Sequence, residues 1–124
     1  MNYSKYLGIP YKENGRDSNG LDCYGLIRMI SHELGISIPE YATPDEQSLI
    51  YQMYNSEKEL FLKLDKPEPN CYVVFSIKPY HIHIGIMIDE NKFIHILEKR
   101  NVAIEELNHW FWKEKIIGFY KWNN

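Results

Sequence analysis

The chain has 124 residues, 44% hydrophobic and 15% aromatic, which suits a single globular domain with a real core. Its net charge of −3 and the lack of a basic run argue against nucleic acid as the main partner, because phosphate binding needs clustered Lys and Arg. No apolar run approaches the roughly 20 residues of a membrane-spanning helix, and the first residues lack the apolar core and cleavage site of a signal peptide. The expectation is a soluble, cytoplasmically made chain with no membrane partner, whose two cysteines, Cys23 and Cys71, are free thiols.

In chain order, Tyr3 to Leu7 suits a short helix ended by Gly8, and Ile9-Pro10 extends the chain into Tyr11. Glu13 to Gly20 is a polar, turn-rich loop, a type that carries site residues about as often as it merely connects. Asp22 is a good N-cap, and Cys23 becomes the first residue of a helix. Leu26, Ile27, Ile30 and Leu34 follow at offsets of three, four, seven and eleven from Cys23, the spacing of one buried face, and Gly35 closes the helix. A thiol at a helix start feels the positive end of the dipole and nearby unsatisfied N–H groups, both of which favour thiolate. Taken alone, Cys23 fits equally well as a small buried hydrophobe.

Ile36 to Tyr41 reads as an extended connector. Thr43 as cap, Pro44 at the first helical position and Glu46 as capping-box partner then open a second helix running to about Asn55. Pro67 and Pro69 mark a change of character. Cys71 to Ile77 is apolar and β-branched or aromatic, a strand in which Cys71 is a packing residue. From His81 to Asp89 the pattern alternates, with Ile82, Ile84, Ile86 and Ile88 on one face and His81, His83, Gly85, Met87 and Asp89 on the other. A turn at Glu90 to Lys92 leads into a return strand, Phe93 to Leu97; a short helix around Glu105 to Trp112 and a last strand, Lys115 to Trp122, finish the chain. Helices first and an antiparallel sheet second make the fold class α+β.

The hairpin register decides whether His83 and His95 can act together. Cross-strand partners have a constant sum of residue numbers, so the two histidines share a face only when the loop has an odd number of residues. A three-residue loop at Glu90 to Lys92 meets this condition, pairing Asp89 with Phe93 and Met87 with His95, with Asn91 suited to a left-handed position. Gly85 would leave space beside His83 for a helix end or a substrate backbone.

Cys23, His83 and His95 then form a complete set for nucleophilic catalysis. His83 takes the thiol proton and later delivers one to a leaving amine, and His95 orients His83 through its other ring nitrogen. The rival reading is zinc, held by His81, His83, His95 and Cys23, although two same-face strand neighbours point in parallel and would need a twist or bulge to reach one ion. The thiol reading requires no metal and no cofactor. His32, His81 and His109 read as surface residues.

At these residues the chain resembles the NlpC/P60 papain-like cysteine peptidases, over nearly its whole length. Ile9-Pro10-Tyr11, a glycine-containing loop and Asp22-Cys23-Tyr24-Gly25-Leu26 resemble the family's nucleophile segment. His83-Ile84-Gly85-Ile86 resembles its histidine strand, Phe93-Ile94-His95 the strand of the third polar residue, and Ile116 to Tyr120 its closing strand. Tyr24, where secreted members commonly carry serine, and Leu34 to Pro39 resemble the phage-tail branch; Asn70-Cys71 stands where many relatives have Gly-Asp.

The resemblance implies one peptidase domain over residues 1–124, with N-terminal helices packed on an antiparallel sheet. It implies hydrolysis of an amide in a peptidoglycan stem peptide, between D-glutamate and the diamino acid, with phage tail proteins as further partners and the virion tail as a final location. Cys23, His83 and His95 would be catalytic. Backbone N–H groups at the helix start would hold the oxyanion, a contribution of about 3 to 4 kcal/mol per donor in studied enzymes. Tyr11 and Tyr24 would neighbour the substrate, and Asp22 would cap the helix, shape the pocket and bind a substrate amine. Two other classes stay open: a non-catalytic tail-assembly module, and a thiol acyltransferase of the same fold.

Overall fold

The computed structural model describes residues 1–38, 61–78 and 81–122. The helix expected from Thr43 to Asn55 lies outside the described residues.

The first residues form a 3-10 turn, Tyr3–Tyr6, tighter than the expected helix, and Gly8 leaves it at φ +86°. The polar loop folds back on itself as two short strands, β1 (Arg16–Asp17) and β2 (Gly20–Leu21), paired antiparallel. Helix α1 (Cys23–Glu33) follows. Asp22 is extended at its entrance, and its side chain accepts from the Gly25 N–H at 2.7 Å. At the other end the Gly35 N–H donates to His32 O and the Ile36 N–H to Ser31 O, with Gly35 at φ +84°. This is a Schellman closure, which only a residue tolerant of the left-handed region makes cheaply.

Eight strands and two helices lie among the described residues. After α1 come β3 (Phe61–Leu64), β4 (Tyr72–Lys78), β5 (His81–Met87), β6 (Lys92–His95), β7 (Ala103–Glu106), the one-turn helix α2 (Trp110–Lys113) and β8 (Ile116–Trp122). β3 to β8 form one antiparallel six-stranded sheet in the order β3-β8-β4-β5-β6-β7. The α+β class holds. Where one helix was expected from Glu105 to Trp112, the chain instead completes β7 and then makes only the single turn of α2, because β7 finds its ladder partner in β6. Strand β3, an edge strand against β8, went unread.

The β5–β6 register pairs Ile86 with Ile94 and Met87 with Phe93. The sum is 180, even as required for a shared histidine face, but not the 182 of the expected Met87–His95 pairing. The loop therefore sits one residue earlier, at Asp89 to Asn91, and the Ile88 N–H closes it onto Lys92 O at 2.8 Å. Asp89 explains the shift: its carboxylate accepts from the N–H groups of Asn91 and Lys92, both at 2.8 Å, so the turn is held by a side chain and Asn91 has no positive φ.

Alternation along β4, β5 and β6 divides the core into two. On one face Val74, Ile84, Ile86, Ile94 and Ile96 meet Leu26, Ile27 and Ile30 of α1. Each fully buried side chain of this size contributes about 1.5–3 kcal/mol. The Ser31 and Tyr72 hydroxyls, 2.7 Å apart, tie helix to sheet inside it. On the other face Cys71, Val73, Phe75, Met87 and Phe93 pack against Leu107 and Trp112. His83 and His95 belong to this second face.

Candidate active site

The nucleophile position is built from the loop before α1. Asp22 is 1% exposed, and its two oxygens accept from the Gly25 N–H, Arg16 Nη1 (2.7 Å) and the Asn14 N–H (3.0 Å). The capping residue thus also anchors the loop, with Arg16 as its ion-pair partner. A Cβ on Gly25 would fall 2.1 Å from Gly15 O, so glycine alone lets this loop close on the first helical turn. Cys23 is held half-buried at the helix start, where its thiol donates to Ile84 O at 3.3 Å and its sulfur lies 3.8 Å from His83 Nδ1. The thiol reaches that carbonyl just past the last β5–β6 ladder pair, Ile86 with Ile94.

From His83 a line of hydrogen bonds crosses the sheet. His83 Nε2 is 2.8 Å from His95 Nδ1, and His95 Nε2 bonds to Glu105 Oε2. Glu105 Oε1 accepts from Trp112 Nε1 at 3.1 Å. His83 and His95 are 4% and 1% exposed, which is tolerable only because each ring nitrogen has a partner. Phe75 and Trp112 lie nearly parallel to the His83 ring, and Phe93 and Trp112 bracket His95 at 4.8 and 4.9 Å. The His95 hydrogen bond, joined by that of Trp112, holds the Glu105 carboxyl below the usual range against a smaller opposing effect of burial. A cleft of about 460 Å³ opens beside His95 and Glu105, lined also by Arg100, Trp110 and Phe111.

The sequence profile of the NlpC/P60 family matches residues 8–121. The chain belongs to the NlpC/P60 family. It is 29% identical to a gamma-DL-glutamyl hydrolase of Bacillus subtilis, over 97% of this chain and 28% of that protein. It is 26% identical to the murein DD-endopeptidase MepS/murein LD-carboxypeptidase of Escherichia coli, over 91% of this chain and 55% of that one. A solved NlpC/P60 family protein from Bacillus cereus superposes with a TM-score of 0.71 at 25% identity, covering 94% of this chain and 36% of that one. The chain thus spans about half or less of the length of these relatives.

Within this NlpC/P60 domain, Cys23, His83 and His95 meet, and two of the three expected substrate-side residues, Asp22 and Tyr24, are buried. Tyr24 is fully buried in the α1 core, with Arg16 over its ring at 5.5 Å, so its side chain has no surface to offer. Asp22 caps α1 as expected, and its oxygens face Gly25, Arg16 and Asn14. Tyr11 is partly buried beside β2, bridged to Leu21, with its N–H on Arg100 O at 3.0 Å. The space expected beside Gly85 is filled by β6: a Cβ there would meet Ile94 O at 3.1 Å, Phe93 at 3.2 Å and His95 at 3.4 Å. Cys71 is 2% exposed, and burial pushes its thiol up to about 11. His32 is exposed, and exposed His109 accepts from the Phe111 N–H to cap α2.

Sequence reasoning passed over Glu105 as a site residue. The signal exists only once β6 and β7 are paired: Phe93 pairs with Glu105 and His95 with Ala103, a sum of 198, so Glu105 shares the histidine face. The zinc arrangement draws on His81, whose side chain is not described; among the described residues no three His, Cys, Asp or Glu side chains are grouped to hold a metal. No helix among them is long and apolar enough to cross a membrane.

Proposed function

We propose that this NlpC/P60 domain is a cysteine endopeptidase that hydrolyses an amide bond in peptidoglycan stem peptides, with residues 1–124 acting as one catalytic unit. The observation that carries the reading is the contact of Cys23 Sγ with His83 Nδ1, continued by His83 Nε2 to His95 Nδ1. His83 accepts the Cys23 proton at Nδ1 as the thiolate attacks the carbonyl carbon. Backbone N–H groups at the start of α1 face the developing oxyanion. Collapse breaks the C–N bond while the His83 proton passes to the leaving amine, giving a thioester. Water then gives a proton to His83, attacks the thioester and releases the acid, and Cys23 regains its proton. The 3.8 Å sulfur–nitrogen distance suits a resting site, since such contacts commonly tighten with substrate.

The D-glutamyl to diamino acid bond is the finer reading, supported by the name of the Bacillus subtilis relative. The Escherichia coli relative is named for DD and LD bonds, so products must choose. Defined muropeptides incubated with the protein should yield fragments with a new diamino acid amine, identified by mass, and Cys23→Ala should yield none. Product formation undiminished in Cys23→Ala overturns the reading, and transfer to an added amine would reassign the chain to acyl transfer. Association with a phage tail comes from the resemblance at Tyr24 and Leu34 to Pro39; mass spectrometry of virions from an induced prophage tests it separately.

A further inference from the structure

We infer that Glu105 is a positioning residue that fixes the tautomers of both histidines and so leaves the basic nitrogen of His83 facing Cys23. The inference rests on the cysteine-peptidase reading above. An ionised carboxylate only accepts hydrogen bonds, and an indole N–H only donates. Trp112 Nε1 occupies Glu105 Oε1, so Oε2 receives His95 Nε2, which must carry the proton. Neutral His95 then has a bare Nδ1. His83 Nε2, 2.8 Å away, must donate to it. Neutral His83 is left with a bare Nδ1, the atom 3.8 Å from the Cys23 sulfur. A negative charge on β7 thus selects, through two rings, the protonation state of the atom that touches the nucleophile. When the S–H bond breaks and the Nδ1–H bond forms, the resulting imidazolium is linked through His95 to that same carboxylate.

The isosteric change Glu105→Gln reverses the logic. Trp112 demands an oxygen, so the amide NH2 faces His95 Nε2 and can only donate to it. His95 must then carry its proton on Nδ1, His83 must accept at Nε2, and an N–H replaces the lone pair opposite the thiol. The experiment records two quantities that loss of packing alone would not invert: imidazole tautomers from long-range 15N–1H NMR, and the pH dependence of Cys23 alkylation by iodoacetamide. The unaltered protein should show both rings protonated at Nε2, and E105Q should show both protonated at Nδ1. Alkylation at neutral pH should slow at least tenfold in E105Q, and muropeptide cleavage should fall about a hundredfold. That is less than the roughly ten-thousandfold cost where a carboxylate touches the catalytic imidazole directly. Glu105→Asp, still acceptor-only, should keep the Nε2–H tautomers, and decides the matter if E105Q does not fold. Unchanged tautomers and alkylation in folded E105Q, or inverted tautomers in folded Glu105→Asp, overturn the inference. If the tautomers behave as described but the unaltered protein cleaves no muropeptide, the inference stands and the peptidase reading falls.

Discussion

Consecutive side chains of β5 enter two different media. Ile84 and Ile86 turn toward α1, among Leu26, Ile27 and Ile30, where there is little to satisfy beyond volume. His83 turns the other way, toward Phe75, His95 and Trp112, where every nitrogen needs a partner. An aliphatic face stabilises by excluding water and tolerates many packings of similar volume. The aromatic face also excludes water, but Trp112 brings an N–H handle that anchors Glu105, and the planar rings hold the imidazoles in defined orientations. The histidines and the aliphatic core thus lie on opposite sides of one sheet, one residue apart in sequence, with Cys23 at the start of α1 packed against the aliphatic side and reaching His83 from there.

That division can be tested from its strongest consequence downward. Cys23→Ala should lower muropeptide cleavage by more than about ten-thousandfold, as loss of a nucleophile does elsewhere, with a melting temperature close to that of the unaltered chain. Ile86→Ala, on the other face, should cost about 2–5 kcal/mol in urea unfolding while leaving kcat/KM within a few-fold; a larger kinetic than thermodynamic loss would break the division. Gly85→Ala should cut kcat/KM by about tenfold with a small stability loss, since its methyl would press on Phe93 and His95 and a misplacement well under 1 Å is already costly.

The smallest effect is one of pH. Burial raises the Cys71 thiol from an ordinary 9.0 to about 11. Between those values the unfolded chain has released a proton that the folded chain keeps, so stability falls as pH rises through this window. The contribution is complete below about 9. Cys71→Ala should flatten the alkaline side of a melting-temperature profile, and an identical slope in the variant would show that Cys71 is not its source.

Much of this arrangement was legible in residues with a single local explanation. Asp22 before Cys23 announced a cap, and the isoleucine alternation announced which way His83 points. What escaped reading depended on partners distant in sequence. Ile104, Leu107 and Phe111 fall at helical spacing, so β7 looked like part of a helix until β6 was there to pair with it. Glu105 was invisible as a site residue for the same reason. Tyr24 illustrates the converse: the resemblance set it beside the substrate, whereas in a helix the residue after Cys23 points about 100° away from it, here into the core.

The hairpin held by Asp89 has a consequence for how this domain tolerates change. Continued along both strands, the constant sum of 180 sets Gly85 across from His95 and leaves His83 diagonal to it, so that the two rings meet beside the glycine. A register two residues away would keep every side chain on its present face, preserve the alternation and bury the same isoleucines, yet separate the imidazoles. The turn therefore acts as a length gauge. Its composition is free to drift wherever the backbone N–H groups remain capped, whereas a change between Ile88 and Lys92 that shifts the register would part the imidazoles even when it leaves the sheet intact.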